Sequence, residues 1–187
     1  MENWQVTEWV RHFVREQVKE GDLCIDATMG NGSDTLLLAR LAGPDGHVMA
    51  FDIQEQALEN TARRLKQEGL DRNCTLFLRS HEYMACCAEE ESVSCIVFNL
   101  GYLPGGSHRT STTAETTLRA VQEGLRLLKK NGLMTICIYS GGDSGFEEKE
   151  AVLSFVKGLN PRKYLVIQSE YVNRPNHPPV PVLIIKL

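Results

Sequence analysis

Apolar and polar positions along this chain change period repeatedly, and each change marks an element. From Trp4 to Lys19 the residues Val6, Trp9, Val10, Phe13, Val14 and Val18 recur at helical spacing, which predicts an amphipathic helix. Apolar, strand-like runs then occur at Asp22 to Ala27, His47 to Ile53, Thr75 to Leu78, Val93 to Leu100 and Leu133 to Tyr139. Helical periodicity returns at Gln54 to Glu68, Glu82 to Glu89, Thr113 to Lys130 and Glu147 to Lys157. Strands alternating with helices predict βαβ units and a parallel sheet. Gly132 follows Lys129, Lys130 and Asn131 and reads as a helix stop, with the basic residues at the C-terminal dipole.

The tail departs from this alternation. Tyr164 to Val172 and Val182 to Lys186 are both strand-like, and the segment Asn173 to Pro179 between them has no room for a helix. The last two strands are therefore expected as an antiparallel pair. The whole reads as an α/β, Rossmann-like fold: a seven-stranded sheet with a C-terminal antiparallel hairpin and helices on both faces. A dinucleotide dehydrogenase would keep alternating to its end. The order here resembles instead that of the class I S-adenosylmethionine-dependent methyltransferases. With 187 residues and no linker, repeat or low-complexity stretch, a single domain over 1–187 is expected.

A net charge of -4 gives no global case for nucleic-acid binding, so any RNA contact needs a local basic patch, for example from Arg109, Arg119, Arg126, Lys129 and Lys130. No stretch reaches the apolar length of a membrane span, and the N-terminal segment lacks a signal-peptide core. The six cysteines form no metal signature: Cys24, Cys95 and Cys137 fall inside apolar runs, Cys86 and Cys87 are adjacent, and no C-x-x-C occurs. Reduced thiols in a cytoplasmic protein, with no metal, are the expectation.

Chemistry concentrates first in the loop after the first strand, Asp26-Ala27-Thr28-Met29-Gly30-Asn31-Gly32-Ser33-Asp34-Thr35. Gly30 and Gly32 suit positive φ and a close approach of backbone to ligand, and Ser33 or Asp34 is a candidate cap for the next helix. Asp52, followed by Ile53 and Gln54, ends the second strand where a carboxylate can accept both ribose hydroxyls of a nucleoside cofactor. A dehydrogenase usually has a third loop glycine beside its pyrophosphate. Here Thr35 occupies that place next to Asp34, and a carboxylate suits an ammonium group better than a diphosphate. The candidate cofactor is thus S-adenosylmethionine, with Asp26, Met29, Gly30, Asn31, Gly32, Asp34, Thr35, Asp52, Ile53, Gln54, Ser80, His81 and Asn99 as its contacts. His81 stacks on the adenine or hydrogen-bonds to it, or else His81 or Glu82 simply caps the following helix.

The second concentration ends the fourth strand, Asn99-Leu100-Gly101-Tyr102-Leu103-Pro104. It resembles the Asn-Pro-Pro-Tyr box of amino-group methyltransferases. The Asn99 side-chain oxygen and the Leu100 carbonyl can accept hydrogen bonds from an amine and orient its lone pair. Tyr102 offers a ring to a flat base or a cationic centre. Asn99, Leu100 and Tyr102 are therefore the catalytic candidates. The polar segments 105–113 and 140–145 read either as substrate loops or as ordinary solvated loops. Candidate substrate contacts are Tyr102, His108, Arg109, Tyr171, Asn173, Arg174 and, on the same rim, His177.

Taken together, the loop from Asp26 to Thr35, the segment Asn99 to Gly106 and the pair Thr116-Thr117 resemble a small bacterial family of tRNA 5-aminomethyl-2-thiouridine methyltransferases, long labelled rRNA methylases. The likeness runs over nearly the whole chain, and Asn-Leu-Gly-Tyr-Leu-Pro-Gly-Gly is its specific element. It implies methylation of the aminomethyl group of 5-aminomethyl-2-thiouridine at the tRNA wobble position, with the anticodon arm as partner. Tyr139-Ser140-Gly141-Gly142-Asp143 departs from the family, where a histidine is expected after the glycine. An rRNA or small-molecule amine methyltransferase, or a non-catalytic cofactor-binding RNA partner, stays open beside it, as does a homodimer.

Overall fold

The computed structural model describes residues 5–101, 113–139 and 145–187. Along the chain run α1 (Val6–Gln17), β1 (Leu23–Asp26), α2 (Ser33–Ala42), β2 (His47–Asp52), α3 (Glu55–Glu68) and β3 (Cys74–Leu78). Then come β4 (Val93–Leu100), α4 (Ala114–Leu127), β5 (Leu128–Ile138), α5 (Gly145–Lys157), β6 (Tyr164–Gln168) and β7 (Val180–Lys186). The seven strands form one sheet in the order β3-β2-β1-β4-β5-β7-β6. The first five are parallel, and β7 lies antiparallel between β5 and β6, as the missing crossover helix requires.

Strands covered on both faces read as continuous apolar runs, and β4 and β5 are buried along most of their length for that reason. One face packs Ile25, Phe51, Phe98 and Ile136 against Met84 and the apolar sides of α4 and α5. The other packs Cys24, Val48, Cys95, Val97 and Cys137 against α1, α2 and Leu65 of α3. All six cysteines are free; Cys24, Cys95 and Cys137, in β1, β4 and β5, are buried, while Cys74 at the start of β3 is half-buried. Helices therefore cover both faces, and the C-terminal ends of β1, β2 and β4 converge on one rim.

Three expectations about element boundaries are corrected. The segment Glu82 to Glu89 is not an α-helix: His81–Cys86 is a 3-10 helix closed by the Cys87 N–H on the Met84 carbonyl at 3.0 Å. Its two buried residues, His81 and Met84, stand three apart, which is the period of that helix. The helix expected over Thr113 to Lys130 ends at Leu127, and Gly132 does not stop it. Leu128 turns into extended backbone and pairs with Val93, because the sheet buries its side chain completely. Residues 129–132 form an irregular excursion before pairing resumes at Cys95 and Leu133, with Asn131 left-handed at φ 61°. Lys129 pairs with Asp22 at 2.8 Å instead of serving a helix end. Finally, β6 stops at Gln168 and not at Val172, whose side chain is 88% exposed.

Candidate active site

The glycine loop is held by partners on every side. Asp26 is fully buried at the end of β1, where its carboxyl accepts the Thr35 hydroxyl at 2.7 Å and the Thr28 N–H at 3.2 Å. Burial, then the nearby charge of Asp34, pushes its pKa up. Asp26 thus braces the loop from beneath. Gly30 and Gly32 take positive φ, 51° and 78°. The expectation that Ser33 or Asp34 caps α2 is corrected: left-handed Gly32 holds the cap position, and no side chain caps the helix. A Cβ on Gly32 would stand 2.6 Å from Oγ1 and 2.8 Å from Cγ2 of Thr61. Thr61 is buried in α3, and its hydroxyl donates to the Gly30 carbonyl at 3.1 Å. The missing Cβ therefore makes room for α3 behind the loop.

Further ties fix the loop toward β2. The buried Met29 donates its N–H to the Phe51 carbonyl at 2.9 Å. The Asn31 side-chain oxygen accepts from Asn60 at 3.0 Å, and its carbonyl accepts from Arg64. Asp52 is half-buried, and its two oxygens accept the N–H groups of Gly30 and Gln54, each at 2.9 Å. Each carboxylate oxygen keeps a lone pair to offer outward. Beyond it Ile53 is 48% exposed, so an apolar side chain stands next to that carboxylate.

Ser80 precedes the 3-10 helix, and the His81 ring turns inward, 6% exposed. Its Nδ1–H donates to the Ala27 carbonyl at 3.1 Å, and the ring meets Phe98 edge-on at 5.8 Å. Burial lowers its pKa, which keeps the imidazole neutral. It makes no side-chain cap, so that alternative for His81 is set aside.

At the end of β4, the Asn99 N–H donates to Thr28 Oγ1 at 2.7 Å, and its Nδ2 donates to Asp34 Oδ2 at 2.7 Å. The other Asp34 oxygen, Oδ1, accepts Nε of Arg11 at 2.6 Å. Arg11 in turn donates from Nη1 to Glu8 at 2.6 Å. Burial works against the Arg11 charge, but Asp34 and Glu8 outweigh it and its pKa goes up. The Leu100 carbonyl accepts the Tyr139 N–H at 3.2 Å, which leaves one lone pair on that oxygen.

Tyr102, His108 and Arg109, and the loops they belong to, lie outside the described residues, as does 140–144. Tyr171 is half-buried and packs in the cluster that includes Tyr139. Asn173 and Arg174 are exposed on the connection between β6 and β7. His177 meets Phe146 of α5 edge-on at 5.6 Å, joining that connection to the rim. Thr113 caps α4 in a reciprocal box with Thr116, while the Thr117 hydroxyl donates to the buried Glu148 of α5 at 2.6 Å. Among the described residues no group of three metal-ligating side chains occurs, and no helix is long and apolar enough to cross a membrane.

The sequence reading missed Arg11, Thr28, Thr61 and Glu148. Arg11 lies beside Val10 on α1, at i+3 from Glu8, and nothing in that local pattern signals a partner on α2. Glu148 stands with Glu147 in the first turn of α5, and nothing in that local pattern signals a partner on α4.

Residues 48–185 match the family model described as "Putative rRNA methylase". An Arabidopsis thaliana protein named tRNA (mnm(5)s(2)U34)-methyltransferase, chloroplastic, is 39% identical over 179 residues. That match takes in 90% of this chain, which spans 65% of the relative's length. A crystal structure from Clostridium thermocellum, described in the same words as the family, superposes with a TM-score of 0.96 at 41% identity over all of both chains. A Streptococcus mutans crystal structure described as "a putative methyltransferase", in complex with SAH, gives a TM-score of 0.89 at 36% identity, again over all of both chains. The chain, with its Rossmann-like sheet and C-terminal antiparallel hairpin, belongs to this rRNA methylase family.

Proposed function

We propose that the protein is an S-adenosylmethionine-dependent N-methyltransferase acting on the aminomethyl group of 5-aminomethyl-2-thiouridine at the wobble position of tRNA. The observation that carries this reading is the placement of Asn99 at the end of β4, hydrogen-bonded to both Thr28 and Asp34 of the glycine loop. An amide acceptor thus stands beside the loop that would hold the cofactor. The 39% identity to the chloroplast tRNA methyltransferase and the SAH bound by the Streptococcus mutans protein support the same assignment.

The residues present suit this cofactor. Asp52 would accept the ribose hydroxyls, since two backbone N–H groups already fix its carboxylate. Ile53 would lie against the adenine, and the backbone of Met29 to Gly32 would face the amino-acid end, with Ser80 completing the pocket. When bound, S-adenosylmethionine supplies a methyl group on a sulfonium sulfur. The Asn99 Oδ1 and the remaining lone pair of the Leu100 carbonyl accept the two N–H hydrogens of a neutral primary amine. That aims the nitrogen lone pair and stabilises the charge that grows on nitrogen. The amine proton leaves to solvent after transfer. Tyr102, His108, Arg109, Tyr171, Asn173 and Arg174 are proposed to receive the anticodon arm, whose bases are read best when unstacked.

Nucleoside mass spectrometry of undermodified tRNA, incubated with protein and S-adenosylmethionine, tests the assignment. Conversion of 5-aminomethyl-2-thiouridine to its methylamino form is expected. Turnover of a free small amine with no change in tRNA would replace it with the small-molecule reading.

A further inference from the structure

We infer that Arg11 of α1 is a positioning residue for methyl transfer, acting through Asp34 to fix which end of the Asn99 amide meets the acceptor amine. The inference rests on the role given to Asn99 above. A terminal amide can present either its oxygen or its NH2 group, and the two orientations differ little unless a neighbour discriminates between them. Asp34 discriminates, because its carboxylate only accepts. Its Oδ2 takes the Asn99 Nδ2 at 2.7 Å, so the amide oxygen is turned away from Asp34. In the inverted orientation two oxygens would face each other across that distance.

The orientation matters to the chemistry. An outward oxygen accepts hydrogen from the amine and leaves the nitrogen lone pair free to attack. An outward NH2 would donate to that same lone pair and withhold it from the methyl carbon.

Arg11 sets Asp34 in turn. Its Nε holds Oδ1 at 2.6 Å, so each carboxylate oxygen serves one partner and the carboxylate plane cannot rotate freely. Glu8 holds the other side of the guanidinium at 2.6 Å, and Thr28 fixes the Asn99 backbone at 2.7 Å. Arg11, Asp34 and Asn99 line one small cavity whose walls include Val10, Val14, Leu38 and Val97. Such apolar walls strengthen charge interactions relative to water.

The test compares Arg11→Met, which keeps length without charge, with Arg11→Lys, which keeps the charge. Steady-state turnover on undermodified tRNA is measured together with SAH affinity by calorimetry. Arg11→Met is expected to lower kcat by on the order of 10- to 100-fold, as small misplacements of catalytic groups do. The tRNA KM and SAH affinity should stay within about twofold, and Arg11→Lys should recover much of kcat. The side-chain NH2 resonance of Asn99, assigned by its loss in Asn99→Ala, should move in Arg11→Met. An unchanged kcat in Arg11→Met would overturn the inference. So would a loss of SAH affinity with kcat intact at saturation, since Arg11 would then bind cofactor directly. If the wild-type protein turns over no tRNA, the proposed function falls on that result alone. The Asn99 resonance still decides the relay: unmoved by Arg11→Met, it refutes it.

Discussion

Replacing Gly32 with alanine tests whether the loop's glycine serves the ligand or the fold. At φ 78° an L side chain is strained, by about 1–2 kcal/mol for left-handed backbone. The added Cβ also meets Thr61 Oγ1 at 2.6 Å and Cγ2 at 2.8 Å. Thr61 is β-branched and fully buried, so it cannot turn aside cheaply, and overpacking of this kind costs about 1–3 kcal/mol. Gly32→Ala should therefore destabilise the protein by roughly 2–5 kcal/mol. Thr61→Ala alone removes the bond to the Gly30 carbonyl, worth about 1 kcal/mol. In the double variant the clash is mostly relieved while the backbone strain persists. Its loss should fall short of the sum of the single losses by about 1–3 kcal/mol. Urea unfolding of the four proteins at constant m-value reads this coupling. Additive losses, or a Gly32→Ala loss under about 0.5 kcal/mol, would show that Thr61 is not what excludes the Cβ.

Asp52→Ala should weaken SAH binding by about 1–3 kcal/mol in calorimetry, through lost charge-assisted hydrogen bonds, and an unchanged affinity would remove Asp52 from the site. Asp26 binds its proton more tightly folded than unfolded, because burial and the charge of Asp34 raise its pKa. The unfolded chain releases that proton near pH 4, so this group's contribution to stability falls as pH rises from about 4 toward the raised folded value. Asp26→Asn should flatten that decline in denaturation measured across pH, and an unaltered slope would refute the linkage. Thr117→Val strips the buried Glu148 of its hydroxyl donor and should cost about 1–3 kcal/mol. Glu148→Gln in the same background should recover part of it in chemical denaturation, whereas no loss from Thr117→Val would mean the pair contributes nothing.

Much of this architecture was readable from hydrophobic period alone. The parallel sheet follows from alternating runs, and the closing hairpin follows from a connection too short for a helix. The threonines before α4 offered a cap at Thr112 or Thr113, since capping chemistry is local, and Thr113 takes that place. Boundaries failed where tertiary contacts overrode local preference. Leu128 left its helix to pair with Val93, and the segment after Ser80 tightened to bury His81 and Met84 together. In the site, the loop and Asn99 stood out because strand ends, glycines and carboxylates share a short stretch of sequence. Arg11 did not, because its partner Asp34 lies 23 residues away on a separate helix and only folding joins them.

The docking of α1 also sets an order of events for a chain made from its N-terminus. Its Trp9 indole donates to Ser169, 160 residues later, at 3.4 Å, and Gln17 donates to the Asn131 carbonyl at 2.9 Å. The docking of α1 is therefore complete only once residues as far along the chain as Ser169 have been made. Closing so large a loop is slow, and contacts this distant in sequence form late. The glycine loop and β1 to β4 can assemble while synthesis continues. The Arg11–Asp34 bond joins residues only 23 apart, so it can form in a nascent chain well before the Trp9–Ser169 contact that finishes the docking of α1.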